Sequence, residues 1–297
     1  MTKALPFSRR HVLTGALAAP FLARAARAAT DQLNIMMWSD YLPESFLARF
    51  TRKTGIKINH TPIGSNEEIF AILQSTGGTG FDLVSPTSQR ALQWAPLNLL
   101  QPFDLTRVNL ENVNPAMVKI GTDTWNFDAE NTHWLPHIWG TEGIAYRTDR
   151  WIPEGAAPSY GDVWSEALEG QTMGRAQSMR VGAGLFMEAS GDMEPGSVWA
   201  AYTDEDIMRR VWAQITNWAI DRKNSLGLLW NDAETQRDAL LGDQIHLGQT
   251  WDGPALALKS LGEPVHYQAP VEGAMAWVDG LAMLKSAVNV DAVYAFI

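Results

Sequence analysis

The spacing of apolar residues after the N-terminal segment alternates between the period of a strand and the period of a helix. Residues 33–38 form an apolar run typical of a buried strand, and residues 56–60 alternate at period two, as a second strand does. Between them, residues 43–55 carry apolar side chains on one helical face. Ser65 and Glu68 predict a capping box for a second helix, which ends before the loop at 77–80. Residues 81–85 predict a third strand. This order predicts right-handed crossovers and a largely parallel sheet.

The second half of the chain continues the mixed pattern. Residues 159–168 and 203–223 predict helices, the polar segment 231–236 predicts the start of another, and residues 245–250 predict a strand. No internal repeat or low-complexity linker separates two halves of the sequence. If the chain forms two lobes, it therefore crosses between them more than once.

Two segments follow predicted parallel strands directly. They are residues 38–41 and residues 85–89. Ligands of open α/β sheets bind beyond the carboxyl ends of the strands. We therefore expect the functional residues of the first half in these two segments.

The N-terminus has the pattern of an export signal. Arg9 and Arg10 precede an apolar run at 12–22, which is too short to span a bilayer, and the small residues at 26–28 suit a cleavage site. No cysteine follows, which excludes a lipid anchor. We expect a twin-arginine signal peptide over residues 1–29, with the folded chain exported to the periplasm of a Gram-negative cell. An arginine-rich amphipathic helix is the alternative.

The net negative charge of the chain argues against anionic binding partners. The 297 residues carry a formal net charge of −10, and without the five basic residues of the signal segment 18 basic residues face 33 acidic ones. Nucleic acids and anionic lipids require a basic surface, so neither is expected as a partner. An acidic protein attracts cationic ligands through its overall field.

Motifs for catalysis and for cofactors are missing from the sequence. The chain has no cysteine, which excludes disulfides, thiolate catalysis and iron–sulfur clusters, and it has no nucleophile elbow or phosphate loop. His133 and His137 are four residues apart, but Pro136 interrupts the helix that would place both on one face. We expect no catalytic residue, no metal and no cofactor.

Aromatic residues recur beside carboxylates near the ends of predicted strands. The pairings are Trp38 with Asp40 and Tyr41, Trp251 with Asp252, and Trp277 with Asp279. An indole face beside a carboxylate suits an alkylammonium group, because the ring makes a cation–π contact and the carboxylate accepts N–H bonds. A core tryptophan near a turn aspartate is the alternative for each single pair. Three pairs together favour a binding site.

The sequence resembles the periplasmic spermidine/putrescine-binding proteins of ABC importers. The matching runs occur in order along nearly the whole chain after the signal segment, at 38–43, 50–57, 65–67, 82–86, 138–140, 251–253, 272–273 and 277–279. The resemblance implies an α/β protein with a type II periplasmic-binding-protein fold. In that fold two lobes, each a mostly parallel sheet flanked by helices, enclose the ligand in an inter-lobe cleft.

The resemblance also implies lobe boundaries. Lobe 1 would comprise residues 30–142 and 268–297, and lobe 2 residues 143–267, with hinge crossings near 138–146 and 266–273. Family members extend further at the C-terminus, so lobe 1 is expected to be C-terminally incomplete.

The resemblance assigns roles to individual side chains. Trp38, Tyr41, Trp251 and Trp277 would stack on the ligand, and Asp279 would bind its amine with Asp40 alongside. The remaining ligand-binding candidates are Thr87, Ser88 and Asp252, and Gln89 stands where the family often has tyrosine.

One departure concerns the second lobe, where polyamine binders carry an acidic pair. In this sequence Arg175, Ser178 and Arg180 occupy that neighbourhood. A guanidinium repels a second ammonium and binds a carboxylate. These three residues are therefore candidate specificity residues, unless the arginines are solvated on the lobe surface.

The expected function is that of a periplasmic substrate-binding protein of an ABC importer. The ligand would be a polyamine or a related cation or zwitterion, the partner the permease subunits of the inner membrane, and the protein a monomer. Two alternatives stay open, namely an exported enzyme on the same scaffold that uses cleft carboxylates, and a ligand sensor without transport.

Overall fold

The computed structural model describes residues 31–297, which fold into two compact units. Unit 1 contains residues 31–137 and 279–297, and unit 2 contains residues 138–278. The signal peptide predicted for residues 1–29 lies outside the described residues. The lobe boundaries predicted after residues 142 and 267 stay predictions.

The strands are numbered in chain order through both units. They are β1 (Gln32–Trp38), β2 (Lys57–Ile63), β3 (Leu83–Val84), β4 (Leu100–Gln101), β5 (Leu135–Arg147), β6 (Thr172–Gly174), β7 (Leu226–Leu229), β8 (Leu247–Trp251), β9 (Val265–Gln268) and β10 (Met275–Leu284).

The α-helices are numbered in the same way. They are α1 (Glu44–Thr54), α2 (Asn66–Thr76), α3 (Ala91–Trp94), α4 (Pro115–Thr124), α5 (Ser178–Ser190), α6 (Ser197–Ala200), α7 (Glu205–Arg222), α8 (Ala233–Leu241), α9 (Asp252–Ser260) and α10 (Val290–Phe296).

The sheet of unit 1 has a parallel part formed by the first three strands. β1 pairs in parallel with β2 on one side and with β3 on the other, and β10 pairs antiparallel with β3 and β4. The helices α1 and α2 connect β1 to β2 and β2 to β3. Because these three strands are parallel, the segments that follow β1 and β3 lie at the same edge of the sheet.

The first two helices end where the sequence predicts. Gly55 and Gly77 follow α1 and α2 in the left-handed conformation, at φ values of 78° and 61°, which favour glycine. At the start of α2 the Ser65 hydroxyl accepts a bond from the Glu68 amide, while the Glu68 carboxylate accepts one from the Gly64 amide. The predicted cap is therefore present.

Asp82 connects the C-terminal segment of unit 1 to its sheet. Its buried carboxylate accepts hydrogen bonds from the backbone amides of Asn34, Val288 and Asn289. A buried charge is stable only when it is hydrogen bonded in this way. The short helix α10 that follows packs Ala292 and Val293 into the core of unit 1.

The sheet of unit 2 combines parallel and antiparallel strands. β5 pairs antiparallel with β8 and β9, and β6 pairs in parallel with β8 and β7. The long helix α7 begins at the predicted position, with Asp204 as its cap, and buries Val211, Ile215 and Ala219. β5 and β10 are the strands whose residues belong partly to each unit.

One predicted helix of unit 2 has a different form. Residues 159–168 form two short 3₁₀ turns, Tyr160–Trp164 and Glu166–Leu168, instead of one α-helix. A capping box is nevertheless present at the start of the first turn, where the side chains of Ser159 and Asp162 each accept a bond from the backbone of this segment. Packing of Tyr160, Val163 and Trp164 into the core fixes this tighter winding.

Candidate functional site

The candidate residues of unit 1 meet at the carboxyl end of its parallel strands. Trp38 is the last residue of β1, Asp40 is exposed in the turn that follows, and Thr87 comes shortly after β3. Asp279 in β10 forms an antiparallel bridge with Thr87. The two segments expected from the sequence thus lie beside each other, together with a residue far along the chain.

Asp279 is the buried acid of this site. Its side chain is 3% exposed, and its Oδ2 accepts a hydrogen bond of 2.5 Å from the Tyr41 hydroxyl. The Tyr41 ring contacts those of Trp38 and His137, with centroid distances of 6.4 and 5.8 Å. A carboxylate edged by aromatic rings attracts a cation.

Tryptophans hold the backbone of residues 85–88, which we call the β3 loop. The indole N–H of Trp38 donates to the Ser85 carbonyl at 3.0 Å, that of Trp134 to the Pro86 carbonyl at 3.0 Å, and that of Trp125 to the Ser88 carbonyl at 2.9 Å. All three side chains are buried. Each bond satisfies a loop carbonyl and a ring donor that burial would otherwise leave without a partner. The loop is therefore rigidly positioned.

Asn66 fixes Thr87 within the same loop. Its Nδ2 donates to the Thr87 Oγ1 at 2.7 Å, and its Oδ1 accepts from the Thr87 amide at 3.1 Å. Both residues are buried. Ser88 is half-buried and Gln89 is exposed, with a long 3.5 Å contact between the Ser88 hydroxyl and the Gln89 side-chain oxygen.

In unit 2 the aromatic candidate Trp251 packs against Trp230, which was not a candidate from the sequence. Their ring centroids are 4.8 Å apart at an interplanar angle of 71°. The Arg175 guanidinium carbon lies 5.4 Å from the Trp251 ring centroid and 5.9 Å from that of Trp230. Both distances are within the range of a cation–π contact.

The Asp252 carboxylate accepts hydrogen bonds from other residues of unit 2. Its Oδ2 accepts bonds from the Thr141 amide at 2.8 Å and from the Thr141 hydroxyl at 3.0 Å, and its Oδ1 accepts from the Gly253 amide. The Thr141 hydroxyl also contacts the Tyr267 hydroxyl at 2.8 Å. These bonds connect the start of α9 to β5.

The Trp277 ring lies close to the backbone of β5 at Gly140. A methyl group at Gly140 would stand 2.3 Å from the nearest atom of the Trp277 ring. A glycine at this position therefore permits the half-buried indole to approach the strand.

Arg175, Ser178 and Arg180 do not form one group. Arg175 and Ser178 lie near the Glu142 carboxyl of β5 and affect its protonation. Arg180 instead donates from Nε to the Ala176 carbonyl at 3.0 Å, with its guanidinium 6.0 Å from the Trp212 ring centroid on α7.

Glu142 is a buried acid that was not a candidate from the sequence. Its Oε1 accepts a 2.7 Å bond from the Gln249 amide. Burial raises the pKa of the Glu142 carboxyl, and hydrogen bonds from Ser178 and Gln249 together with the positive charge of Arg175 oppose this rise without cancelling it. Such a pKa favours the neutral acid.

Replacing Glu142 with glutamine should make stability less dependent on pH. Because the pKa of Glu142 is higher in the folded protein than in the unfolded chain, the unfolded chain releases this proton first as pH rises. The free energy of unfolding of the wild type therefore falls once the pH exceeds the unfolded-state pKa. The other titratable groups that face Glu142 are Arg175, Tyr160 and Tyr267.

Relative to wild type, the free energy of unfolding of the Glu142→Gln protein should increase as pH rises from acidic to neutral, because the wild type loses stability over this range and the neutral glutamine does not. Urea unfolding across this range measures the change. Glu194→Gln, at an exposed position of unit 2, is the matched control and should not alter the profile. Parallel profiles for wild type and Glu142→Gln would contradict the raised pKa.

Five supporting residues were missed from the sequence. Asn66, Trp125 and Trp134 bond to the β3 loop from distant positions. Trp230 packs against Trp251, and Glu142 of β5 lies near Arg175. For the three tryptophans the signal in the sequence was the total count of 13, since so many indoles require buried acceptors for their N–H groups.

The chain matches the family model described as "Bacterial extracellular solute-binding protein" over residues 45–297. The chain belongs to this family. Membership of this family confirms the solute-binding function expected from the sequence.

Two curated relatives of this solute-binding protein come from Escherichia coli K12. A spermidine/putrescine-binding periplasmic protein is 25% identical over 289 residues, with 95% of this chain and 76% of the relative covered. The putrescine-binding periplasmic protein PotF is 28% identical over 298 residues, with coverage of 96% and 77%. The predicted resemblance to the spermidine/putrescine-binding proteins is thereby confirmed.

Solved structures support the fold. The TpPotD lipoprotein of Treponema pallidum aligns with a TM-score of 0.72 at 20% identity and covers 90% of this chain and 79% of its own. A likeness at this identity is evidence for the fold alone. It confirms the predicted periplasmic-binding-protein fold.

Proposed function

We propose that this solute-binding protein delivers a small amine-containing solute, a polyamine or a related cation or zwitterion, to its importer. The observation that carries the proposal is Asp279, a buried carboxylate bonded to the Tyr41 hydroxyl beside the rigid β3 loop. A fixed carboxylate accepts charge-assisted hydrogen bonds from an ammonium, which are about twice as strong as neutral ones.

The remaining candidates are proposed to complete the ligand contacts. In unit 1 Trp38, Asp40, Thr87 and Ser88 would contribute along with Tyr41, and in unit 2 Trp251 and Trp277 would supply aromatic faces. Trp38 and Thr87 are buried, so they would shape the site and hold it rigid more than they would offer exposed surface to the ligand. Asp252 would contribute indirectly, by holding β5 in place through its hydrogen bonds to Thr141.

The names of the relatives agree with an amine ligand. Those in Escherichia coli are named for binding spermidine and putrescine, and one in Pseudomonas aeruginosa for binding putrescine and cadaverine. All three names describe molecules with ammonium groups separated by a flexible chain. An acidic site edged by aromatic rings suits such groups.

The proposal extends to location and partners. The protein would act in the periplasm after export by the twin-arginine route, as a monomer without catalytic activity, and would present its ligand to the permease subunits of the inner membrane. Among residues 31–297 no helix is long and apolar enough to cross a membrane.

A thermal-shift panel tests the proposal. Purified protein is heated with diamines, polyamines, betaines, basic amino acids and amine–carboxylate conjugates. A ligand present at about a hundred times its dissociation constant adds roughly 2.7 kcal/mol of stability, which gives a measurable rise in Tm. We expect amine-bearing compounds to raise Tm and their deaminated analogues to leave it unchanged. A panel in which no amine raises Tm would overturn the proposal.

An enzyme on the same scaffold is favoured by one observation, the raised pKa of Glu142. Raised carboxylate pKa values occur in acid–base catalysis. The Glu142 side chain is 6% exposed, however, and it is bonded to Gln249, which limits access for a substrate. Mass spectrometry of each panel compound after incubation separates the two functions, because an enzyme consumes its ligand and a binding protein returns it intact.

A further inference from the structure

An exposed histidine lies beside the buried acid of unit 1. The His137 ring contacts the Tyr41 ring, with centroids 5.8 Å apart at an interplanar angle of 55°. The Tyr41 hydroxyl in turn donates to the Asp279 carboxylate at 2.5 Å. All three residues belong to unit 1, and His137 is exposed whereas Asp279 is buried. A solute bonded to Asp279 would therefore lie about one aromatic side chain away from the imidazole.

The charge of this imidazole depends on pH. Neighbouring protein displaces part of the water around the ring, which disfavours the charged form and lowers the pKa of His137. An ordinary histidine has a pKa of about 6.5, so this ring is neutral at neutral pH and gains a proton only in acid. A neutral imidazole has a ring nitrogen that accepts a hydrogen bond, whereas an imidazolium has donors alone. His137 therefore tolerates a nearby ammonium when it is neutral and repels one when it is protonated.

Ionisable groups of two other segments of unit 1 lie around this histidine. Tyr41 and the exposed Asp40 belong to the turn after β1, and Asp279 belongs to β10. Histidine is the side chain that ordinarily titrates between pH 5 and 7.5, whereas carboxylic acids titrate near pH 4 and tyrosine near pH 10. A change in ligand affinity over this range is therefore the expected signature of His137.

We infer that His137 is a further residue of the ammonium site in unit 1, and that protonation of its ring weakens the binding of the solute. This inference rests on the proposed function, in which Asp279 binds an ammonium. An imidazolium and an ammonium roughly 10 Å apart, across the Tyr41 ring, repel each other by an amount that depends on the local dielectric constant. For an effective dielectric constant between about 20 and 50, this repulsion weakens binding by about 3- to 15-fold.

Isothermal titration at pH 7.5 and at pH 5.0 tests the inference with three probes, 1,4-diaminobutane, spermidine and 4-aminobutanoate. Amines of this kind stay almost fully protonated over this range, so the charge on the nitrogen of the probe does not change. Wild type should lose affinity by about 3- to 15-fold on acidification. His137→Phe keeps a ring against Tyr41 and His137→Gln keeps a neutral polar group. Because neither side chain titrates, the affinity of each variant should change by less than about twofold.

Two further variants separate charge from shape. His137→Lys places a positive charge at this position at both pH values, so it should bind about 3- to 15-fold more weakly than wild type already at pH 7.5. His266→Gln is the matched control, because His266 also packs its ring against a tyrosine, Tyr146, at 5.5 Å, and burial also lowers its pKa. The Tyr146 hydroxyl donates to Gln268 instead of to an acid, so this variant should follow wild type. The Tm of each protein without ligand, at both pH values, shows whether it is folded.

Proton release on binding is a second readout. Titrations at pH 6.0 in buffers with different ionisation enthalpies give the number of protons that leave the protein when the probe binds. A bound ammonium lowers the pKa of a nearby imidazole, so wild type should release a fraction of a proton and His137→Phe should lack this release.

The two proposals fail in different ways. An affinity that does not depend on pH, that rises on acidification, or that falls equally in wild type and in His137→Phe and His137→Gln would overturn the inference and leave the amine proposal standing. Absence of binding of all three probes at pH 7.5, in wild type that is folded, would overturn the proposed function and the inference with it.

Discussion

Replacing Asp279 with asparagine should lower the affinity for an amine-containing solute by about 30- to 1,000-fold. This range corresponds to about 2–4 kcal/mol, the usual loss when one partner of a buried charge pair is removed. Asparagine has the same shape and keeps an oxygen that can accept the bond from the Tyr41 hydroxyl. The change therefore removes charge with little effect on packing, and isothermal titration with the best panel compound measures it.

Asp291→Asn is the matched control for this experiment. Asp291 lies in the same unit, but its carboxylate is exposed and pairs with Arg107 at 2.9 Å. An exposed ion pair contributes little to stability or to a distant site, so the affinity should stay within about twofold of wild type. Equal affinities in Asp279→Asn and wild type would show that the ammonium binds elsewhere.

Replacing Gly280 with alanine should destabilise the protein by about 3 kcal/mol and lower Tm by several degrees. A methyl group at this position would stand 2.0 Å from the Trp134 ring and 2.4 Å from the Leu135 carbonyl oxygen. The ring is held by its bond to Pro86 and the carbonyl belongs to the backbone of β5, so neither yields without moving the β3 loop.

The same substitution should also weaken ligand binding, because the Gly280 amide donates to the Pro86 carbonyl beside Asp279. Differential scanning calorimetry and titration measure the two effects. Gly155→Ala is the control: Gly155 is exposed, and the nearest atom to its added methyl group would be 3.9 Å away. A Gly280→Ala protein with wild-type Tm would contradict the tight packing of Trp134 against β10.

The order of strands and helices could be predicted from the sequence because it depends on local spacing. A period of two over 56–60 predicted β2, and apolar residues on one face predicted α1, with Gly55 at its end. For residues 159–168 the sequence predicted an α-helix, and the structure has 3₁₀ turns there instead. The composition is that of a helix start, but packing into the core imposes the tighter winding. Local pattern gives the position of an element more reliably than its exact winding.

The candidate site was predictable where its residues follow strands. Trp38, Tyr41 and Thr87 come after β1 and β3, and parallel pairing brings those ends to one edge. Asp279 follows Thr87 by nearly two hundred positions, and it was singled out by its closeness to Trp277 and by the family resemblance, neither of which predicts that it pairs with Thr87. The observed bridge between Thr87 and Asp279 gives its position a structural basis.

By itself the sequence determined the α/β order, the acidic charge and the aromatic residues beside carboxylates, since these depend on residue type and on neighbours a few positions apart. Only the tertiary structure decided how the residues are used. The Trp134 indole donates to the Pro86 carbonyl, and the Asp252 carboxylate accepts from Thr141. Arg175 lies near Glu142, whereas Arg180 lies near Trp212. Hydrogen-bond partners and burial arise from contacts between distant segments, and no local period encodes which distant donor meets which acceptor.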